Sequence, residues 1–272
     1  MVICEGVKQL EKFYEISADL SHLKALVMYG PEEVPEEAKS KSSVPVYSFA
    51  EFLKLGEEVP DADVTARMEG LSPNEVAALI YTSGTTGPPK AVMITNDNIT
   101  WTTAAMVNTL PRTYNNDDHI ISYLPLSHIA AQIVDMHVAM ATGLQIWFAQ
   151  PDALRGSLGT TLKEVRPTAF LGVPRVWEKI YDKMQQVAKE TTGLKKKIGA
   201  WAKKKSTKYW VSHQYGGDGK DPSFIGLSHK LLFKIREALG LDRVSSSCWK
   251  LSILKTVELE CSLIVPLFYA LV

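Results

Sequence analysis

The sequence predicts an α/β fold, a mainly parallel sheet with flanking helices. Short runs rich in β-branched and aromatic residues recur along the chain, and longer stretches with helical periodicity separate them. Composition permits this: 46% of the 272 residues are hydrophobic and 22% charged, enough for one large domain or two smaller ones.

Taken in order, the N-terminus MVICEGVKQLEKF lacks the consecutive apolar residues of a signal peptide and runs into charged, helix-like sequence. Asp61 to Pro73 is polar with little periodicity and reads as a connection. Val76 to Tyr81 (VAALIY) and Ala91 to Ile94 (AVMI) read as strands on either side of a loop, and Asn96 is placed to cap a helix through ITWTTAAMVNTL. A strand follows at Ile120 to Tyr123, then a helix from about Ser127 to Thr142, stopped by Gly143, and a strand at Leu144 to Ala149. Next come a polar helix ending near Val165, a strand at Thr168 to Gly172 and a helix from Pro174 to Lys189. Ser212 to Pro222 reads as a solvent loop before a last helix ending at Gly240. After Val244 the pattern is lost: residues 245–272 show neither alternation nor a capped helix, and no internal repeat is visible anywhere.

Charge and cysteine usage narrow the function classes. Thirty basic and thirty acidic residues cancel, so no global field draws nucleic acid or a membrane. Cys4, Cys248 and Cys261 are scattered without a C-x-x-C pair, which points to a reducing compartment and away from a disulfide framework or a thiolate metal site; no residue is assigned to a metal. Leu263 to Val272 is about half a bilayer span, so the chain reads as soluble, on the cytosolic side of any membrane it touches. Lys195, Lys196, Lys197, Lys203, Lys204, Lys205 and Lys208, with Trp201, Tyr209 and Trp210 among them, form a cationic helix candidate. It reads as a solvated helix face, or alternatively as a surface for peripheral membrane contact near anionic lipid, from Lys195 to Trp210.

The stretch TSGTTGPPK carries the chemistry. Gly84 and Gly87 let the backbone turn, and the hydroxyls of Thr82, Ser83, Thr85 and Thr86 can join amides in wrapping a triphosphate. Each hydrogen bond to a charged phosphate oxygen contributes roughly 1.5–3 kcal/mol. Lys90 adds a point charge for the β- or γ-phosphate, and Pro88 and Pro89 stiffen the exit. The spacing excludes the G-x-x-x-x-G-K-[ST] loop of generic NTPases: the glycines are too close, and the two prolines remove donors where that motif opens a helix.

YTSGTTGPPKAVMIT resembles the phosphate-loop signature of the adenylate-forming superfamily. Ala91 stands where that superfamily usually has glycine, and a positive φ there would be strained. YLPLSHIAAQ, Tyr123 to Gln132, resembles the segment in which a histidine opens a helix beside the acyl pocket; this assigns His128 a catalytic role, orienting the carboxylate or sensing the adenylate, with Ser127 as the cap. GVPRVWEKI, Gly172 to Ile180, resembles a strand-end segment of long-chain acyl-CoA synthetases, and with LGLD the motifs are most similar to the bubblegum-type branch. Trp177 would then line an acyl tunnel or simply belong to the core.

The resemblance implies part of the large N-terminal domain of adenylate-forming enzymes over residues 1–244, with 245–272 a divergent tail. It also implies ATP-dependent activation of long- or very-long-chain fatty acids, with ATP and Mg2+ as cofactors, coenzyme A as co-substrate and an acyl-adenylate between the two steps. The loop Thr82, Ser83, Gly84, Thr85, Thr86, Gly87, Pro88, Pro89 and Lys90 would hold the nucleotide. The motifs for adenine and ribose and the C-terminal lysine domain have no counterpart in the sequence, which predicts a chain truncated at both ends. The alternative is an inactive isoform serving as a nucleotide-binding or interaction protein. The expected location is cytoplasmic, with peripheral contact to the endoplasmic reticulum or another membrane.

Overall fold

A computed structural model of the chain describes residues 1–82, 87–110, 112–213 and 217–244. They fall into two compact units, Met1–Ser72 and a second beginning at Pro73.

In the first unit, Val2–Glu5 (β1), Leu26–Tyr29 (β2) and Val46–Ser48 (β3) pair in parallel in that order, with Val2 opposite Leu26 and Leu26 opposite Val46. Parallel neighbours require crossovers, which the helices Gly6–Tyr14 (α1) and Glu36–Lys41 (α2) provide. α1 turns Leu10 and Tyr14 to one side at i, i+4, into a core with Leu26, Met28 and Val46. Burying a side chain such as Leu10 or Leu26 completely contributes about 1.5–3 kcal/mol.

Phe49–Leu55 (α3) opens on a capping box between Ser48 and Glu51, and Asp61–Glu69 (α4) ends the unit. α4 corrects the expectation of a connection between Asp61 and Pro73. Every one of its side chains faces solvent, so no apolar stripe announces it. Its signals are electrostatic instead: Asp61 and Asp63 in the first turn and Arg67 in the last complement the helix dipole.

The second unit starts with an antiparallel hairpin, Val76–Thr82 (β4) and Lys90–Thr95 (β5), followed by Asn96–Thr109 (α5). The cap of α5 is Thr95 rather than Asn96. Its hydroxyl accepts the Asn98 N–H at 3.2 Å, and the Asn98 side chain accepts the Thr95 N–H at 3.1 Å. His119–Ser122 (β6) and Gln145–Phe148 (β7) pair in parallel through a helical crossover over 129–142. This begins as Ile129–Ala131 (α6), widens into a π-helical stretch, Gln132–Val138, and finishes as Ala139–Thr142 (α7) at Gly143, whose φ of 76° is the expected stop.

β6 is covered on both faces, as a parallel strand requires. Ile120 points into a cluster with Tyr114, Val134, Ala139 and Leu144, and Ile121 into another with Leu158, Leu162, Phe170 and Trp177. Leu158–Val165 (α8) lines the second cluster. The strand expected at Thr168 to Gly172 reduces to one bridge, Ile120 to Ala169. Beyond that bridge the polar groups of the segment are taken by side chains: the Tyr123 hydroxyl donates to Leu171 O at 2.7 Å and accepts the Val173 N–H at 3.3 Å, and Trp177 Nε1–H donates to Gly172 O at 2.9 Å.

Pro174–Glu190 (α9), Gly193–His213 (α10) and Ile225–Leu239 (α11) complete the unit, with α10 packed on α11 and α11 on α8. Ser212 and His213 finish α10, so the solvent loop is shorter than expected, and its residues 214–216 lie outside the described residues. The tail from 245 to 272 lies outside them as well. Gly240 closes α11 with φ 74°, and any Cβ there would overlap Leu162 O of α8. The sheets are therefore mainly parallel, with one antiparallel hairpin.

Candidate functional site

The phosphate-binding candidate is the tip of the β4–β5 hairpin. The register sets Tyr81 opposite Ala91 and Thr82 opposite Lys90, the last pair before the hairpin's connection. The Thr82 hydroxyl reaches the Lys90 carbonyl at 3.5 Å, the outer limit of a hydrogen bond. Ser83, Gly84, Thr85 and Thr86 lie outside the described residues. Gly87 has φ 104°, and nothing lies within 4 Å of a Cβ built there; backbone conformation rather than crowding requires glycine. Pro88, Pro89 and Lys90 are exposed, and among the described residues no ion pair holds Lys90. An exposed lysine three residues after a left-handed glycine offers the charge that an incoming polyphosphate needs. Ala91 is an ordinary strand residue without a positive φ, so its methyl group is accommodated.

His128 sits on the turn that leaves β6. It, rather than Ser127, caps the helix: its Nδ1 accepts the Ala130 N–H at 3.1 Å, and its carbonyl accepts the Gln132 N–H at 3.2 Å. An accepting Nδ1 puts the proton of the neutral ring on Nε2. The exposed ring therefore presents an N–H donor outward, the polarity needed to meet a carboxylate or phosphate oxygen. Gln132 steadies the turn, donating from Nε2 to Leu126 O at 2.6 Å. Among the described residues no hydrogen bond joins His128 to Thr82 or Lys90, so the structure describes two separate elements of chemistry rather than one closed site.

Asp135 is the group that the motifs did not indicate. It lies in the π-helical stretch, is 3% exposed, and has its carboxyl pushed up to about 6 by burial, partly offset by a hydrogen bond from Ser122. Burial likewise pushes Tyr123 up to about 12, against the opposing Val173 N–H and with a smaller contribution from Asp135. The signal was present in the sequence: a lone carboxylate within the apolar run IVDMHV. Trp177 belongs to the core, buried against Phe170 edge to face with centroids 5.7 Å apart, and its indole N–H is committed to Gly172 O. Gly172 has no alternative, since a Cβ would overlap the Trp177 ring.

The lysines from Lys195 to Lys208 all lie on α10, which contains no acidic residue. No described helix is long and apolar enough to cross a membrane, and no described cluster of His, Cys, Asp and Glu has the makeup of a metal site.

Comparison with known proteins bears on these elements together. The sequence model of the AMP-binding enzyme family matches residues 4–227. A long-chain-fatty-acid–CoA ligase, ACSBG2 of Xenopus laevis, is 44% identical over 246 residues, covering 89% of this chain and 32% of that protein. ACSBG1 of Homo sapiens is 40% identical over 245 residues, 89% of this chain and 33% of that one. ACSBG2 of Gallus gallus is 41% identical over 276 aligned positions and covers 98% of this chain, so that alignment runs past Val244. The chain spans about a third of the length of these curated relatives. Among solved structures, the A-PCP didomain of carboxylic acid reductase from Segniliparus rugosus, in complex with AMP, superposes with a TM-score of 0.55 at 20% identity, over 89% of this chain and 31% of that one. That likeness extends to the fold.

Proposed function

Since this chain belongs to the AMP-binding enzyme family, we propose that it serves the ATP-dependent activation of long- or very-long-chain fatty acids; the names of its relatives, long-chain-fatty-acid–CoA ligases, support this reading. The carboxylate oxygen attacks the α-phosphate of ATP, the bond to the bridging oxygen breaks, and pyrophosphate leaves. The coenzyme A thiol then loses its proton to solvent as its sulfur attacks the acyl carbon, and AMP departs with the electron pair. No covalent bond to the protein is needed, so its residues act by positioning and charge stabilisation. Thr82, Gly87, Pro88, Pro89 and Lys90, with Ser83, Gly84, Thr85 and Thr86, hold the leaving pyrophosphate. His128 Nε2–H steers the carboxylate or its adenylate. Mg2+ would enter with ATP and coenzyme A as co-substrate, with no residue of this chain assigned to either, and the work is done in the cytoplasm or beside a membrane.

The observation that carries this reading is the hairpin register, which sets Lys90 opposite Thr82 with a left-handed Gly87 three residues before it. Fatty-acid-dependent exchange of labelled pyrophosphate into ATP tests it, because exchange needs adenylation but not coenzyme A. Exchange by the 272-residue chain is the expected result. Lys90→Ala should lower nucleotide affinity about tenfold or more with melting unchanged; equal affinity would remove Lys90 from the site.

A second reading, a non-catalytic nucleotide-binding or interaction protein, is favoured by one observation. Leu79, Tyr81 and Met93 of the hairpin are more than half exposed, an apolar surface available to a partner. ATP binding without exchange would favour that reading.

A further inference from the structure

α10 has two faces of opposite character. Ala202 and Ser206 are buried at i, i+4, and Tyr209 meets His229 of α11 edge to face at 5.1 Å, so this side is committed to helix packing. On a helical wheel Lys197, Lys204 and Lys208 fall within about 40° of one another and roughly opposite that side. Lys197, Lys204 and Lys208 are all exposed, and among the described residues none makes an ion pair. A helix of 21 residues without a single acid concentrates positive charge in a chain whose formal net charge is zero. The field is therefore local to this face.

Apolar groups border the same face. Leu194 is 76% exposed and Ile198, one turn on, is also exposed. Phe224 is 73% exposed, and its φ of 60° holds a bulky side chain in the left-handed region where it is strained. The Lys205 ammonium donates to the Ser223 hydroxyl at 3.1 Å, which fixes the residue before Phe224 against α10. Phe224 thus stands exposed and strained next to the residue that Lys205 holds against α10.

We propose that this face of α10, edged by Leu194, Ile198 and Phe224, docks on an anionic lipid bilayer. Lysines at the surface meet phospholipid headgroups, each contributing about 1 kcal/mol. The aliphatic and aromatic side chains enter the boundary between headgroup and acyl chain. Nucleic acid fits less well, because exposed leucine and isoleucine gain nothing from phosphate or stacked bases. Docking requires no adenylation, so it stands or falls separately from the acyl-activation reading.

Co-sedimentation of the full chain with phosphatidylcholine vesicles, with and without phosphatidylserine, tests the proposal. Partitioning is expected to rise about tenfold or more with phosphatidylserine and to fall as salt is raised. The combined variant Lys197→Gln, Lys204→Gln and Lys208→Gln should lose that rise, and because all three side chains are exposed its melting should match the parent. Phe224→Gly separates docking from folding: glycine relieves the left-handed strain, so melting should hold or improve while partitioning falls severalfold. Four results would overturn the proposal: no vesicle binding, equal binding to both vesicle types, retention of binding by the triple-lysine variant, or displacement from vesicles by an RNA homopolymer bound as tightly at the same salt.

Discussion

Asp135 shows how a single residue's setting becomes a property of the whole chain. Burial disfavours its ionised form, so the carboxyl titrates near 6 in the folded chain, against an ordinary value of 3.8. A raised value means that this group's contribution to stability is fully present below about pH 3.8 and is lost as pH rises through 6. The loss amounts to on the order of 2–3 kcal/mol. Asp135→Asn should therefore melt higher than the parent above pH 6 and level out the pH dependence between 4 and 6. Parallel melting curves across that range would show that the carboxyl ionises without cost. His128 invites a paired substitution, because one ring nitrogen serves the helix and the other faces outward. His128→Asn retains a capping side chain, whereas His128→Ala removes it at a cost of about 1 kcal/mol. If the outward nitrogen steers substrate, both variants lose pyrophosphate exchange, but only the alanine variant loses stability.

At the scale of elements, two close approaches hold the second unit together. α8 ends at Val165, its C-cap Arg166 has a left-handed φ of 47°, and the Arg166 guanidinium pairs with Asp242. Asp242 follows the turn in which Gly240 lies against the Leu162 carbonyl. Gly240→Ala would combine an unfavourable positive φ with an overlap that only a backbone shift can relieve, for a loss of about 2 kcal/mol or more. Urea denaturation checks this; a midpoint within error of the parent would mean that the α8–α11 turn can move freely. The 168–172 segment makes the same point differently. It has strand composition but a single bridge, because Tyr123 and Trp177 occupy the groups that a ladder would use.

Across the whole molecule, each of the two units carries its own buried cluster: Leu10, Leu26 and Met28 in the first, and the two faces of β6 in the second. Among the described residues the β4–β5 hairpin is a two-stranded sheet with open edges, and its Leu79, Tyr81 and Met93 are exposed. Open edges and apolar surface favour pairing between molecules. The chain should therefore associate as concentration rises and bind a hydrophobic dye in its native state, and Tyr81→Lys with Met93→Lys should reduce both. A monomer at all concentrations, with a sharp melt at high temperature, would contradict this account.

The sequence by itself determined whatever depends on a few neighbouring residues. Alternation, periodicity and Gly/Pro punctuation place β4, β5, β6, β7, α9 and α11, and the order of hydroxyls, glycines and lysine in 82–90 marks the loop, because such signals act within a turn or two of chain. Even local signals misled in places: α4 is helical without an apolar face, and Thr95 and His128 act as caps where Asn96 and Ser127 were expected. Only the tertiary structure decided what depends on distant partners. Tyr123 and Leu171, 48 residues apart, settle why 168–172 forms no full strand. Trp177 joins the core rather than an acyl channel, and Asp135 is buried and its acidity altered. Burial and hydrogen-bond satisfaction are properties of the packed chain, and no window of adjacent residues contains them.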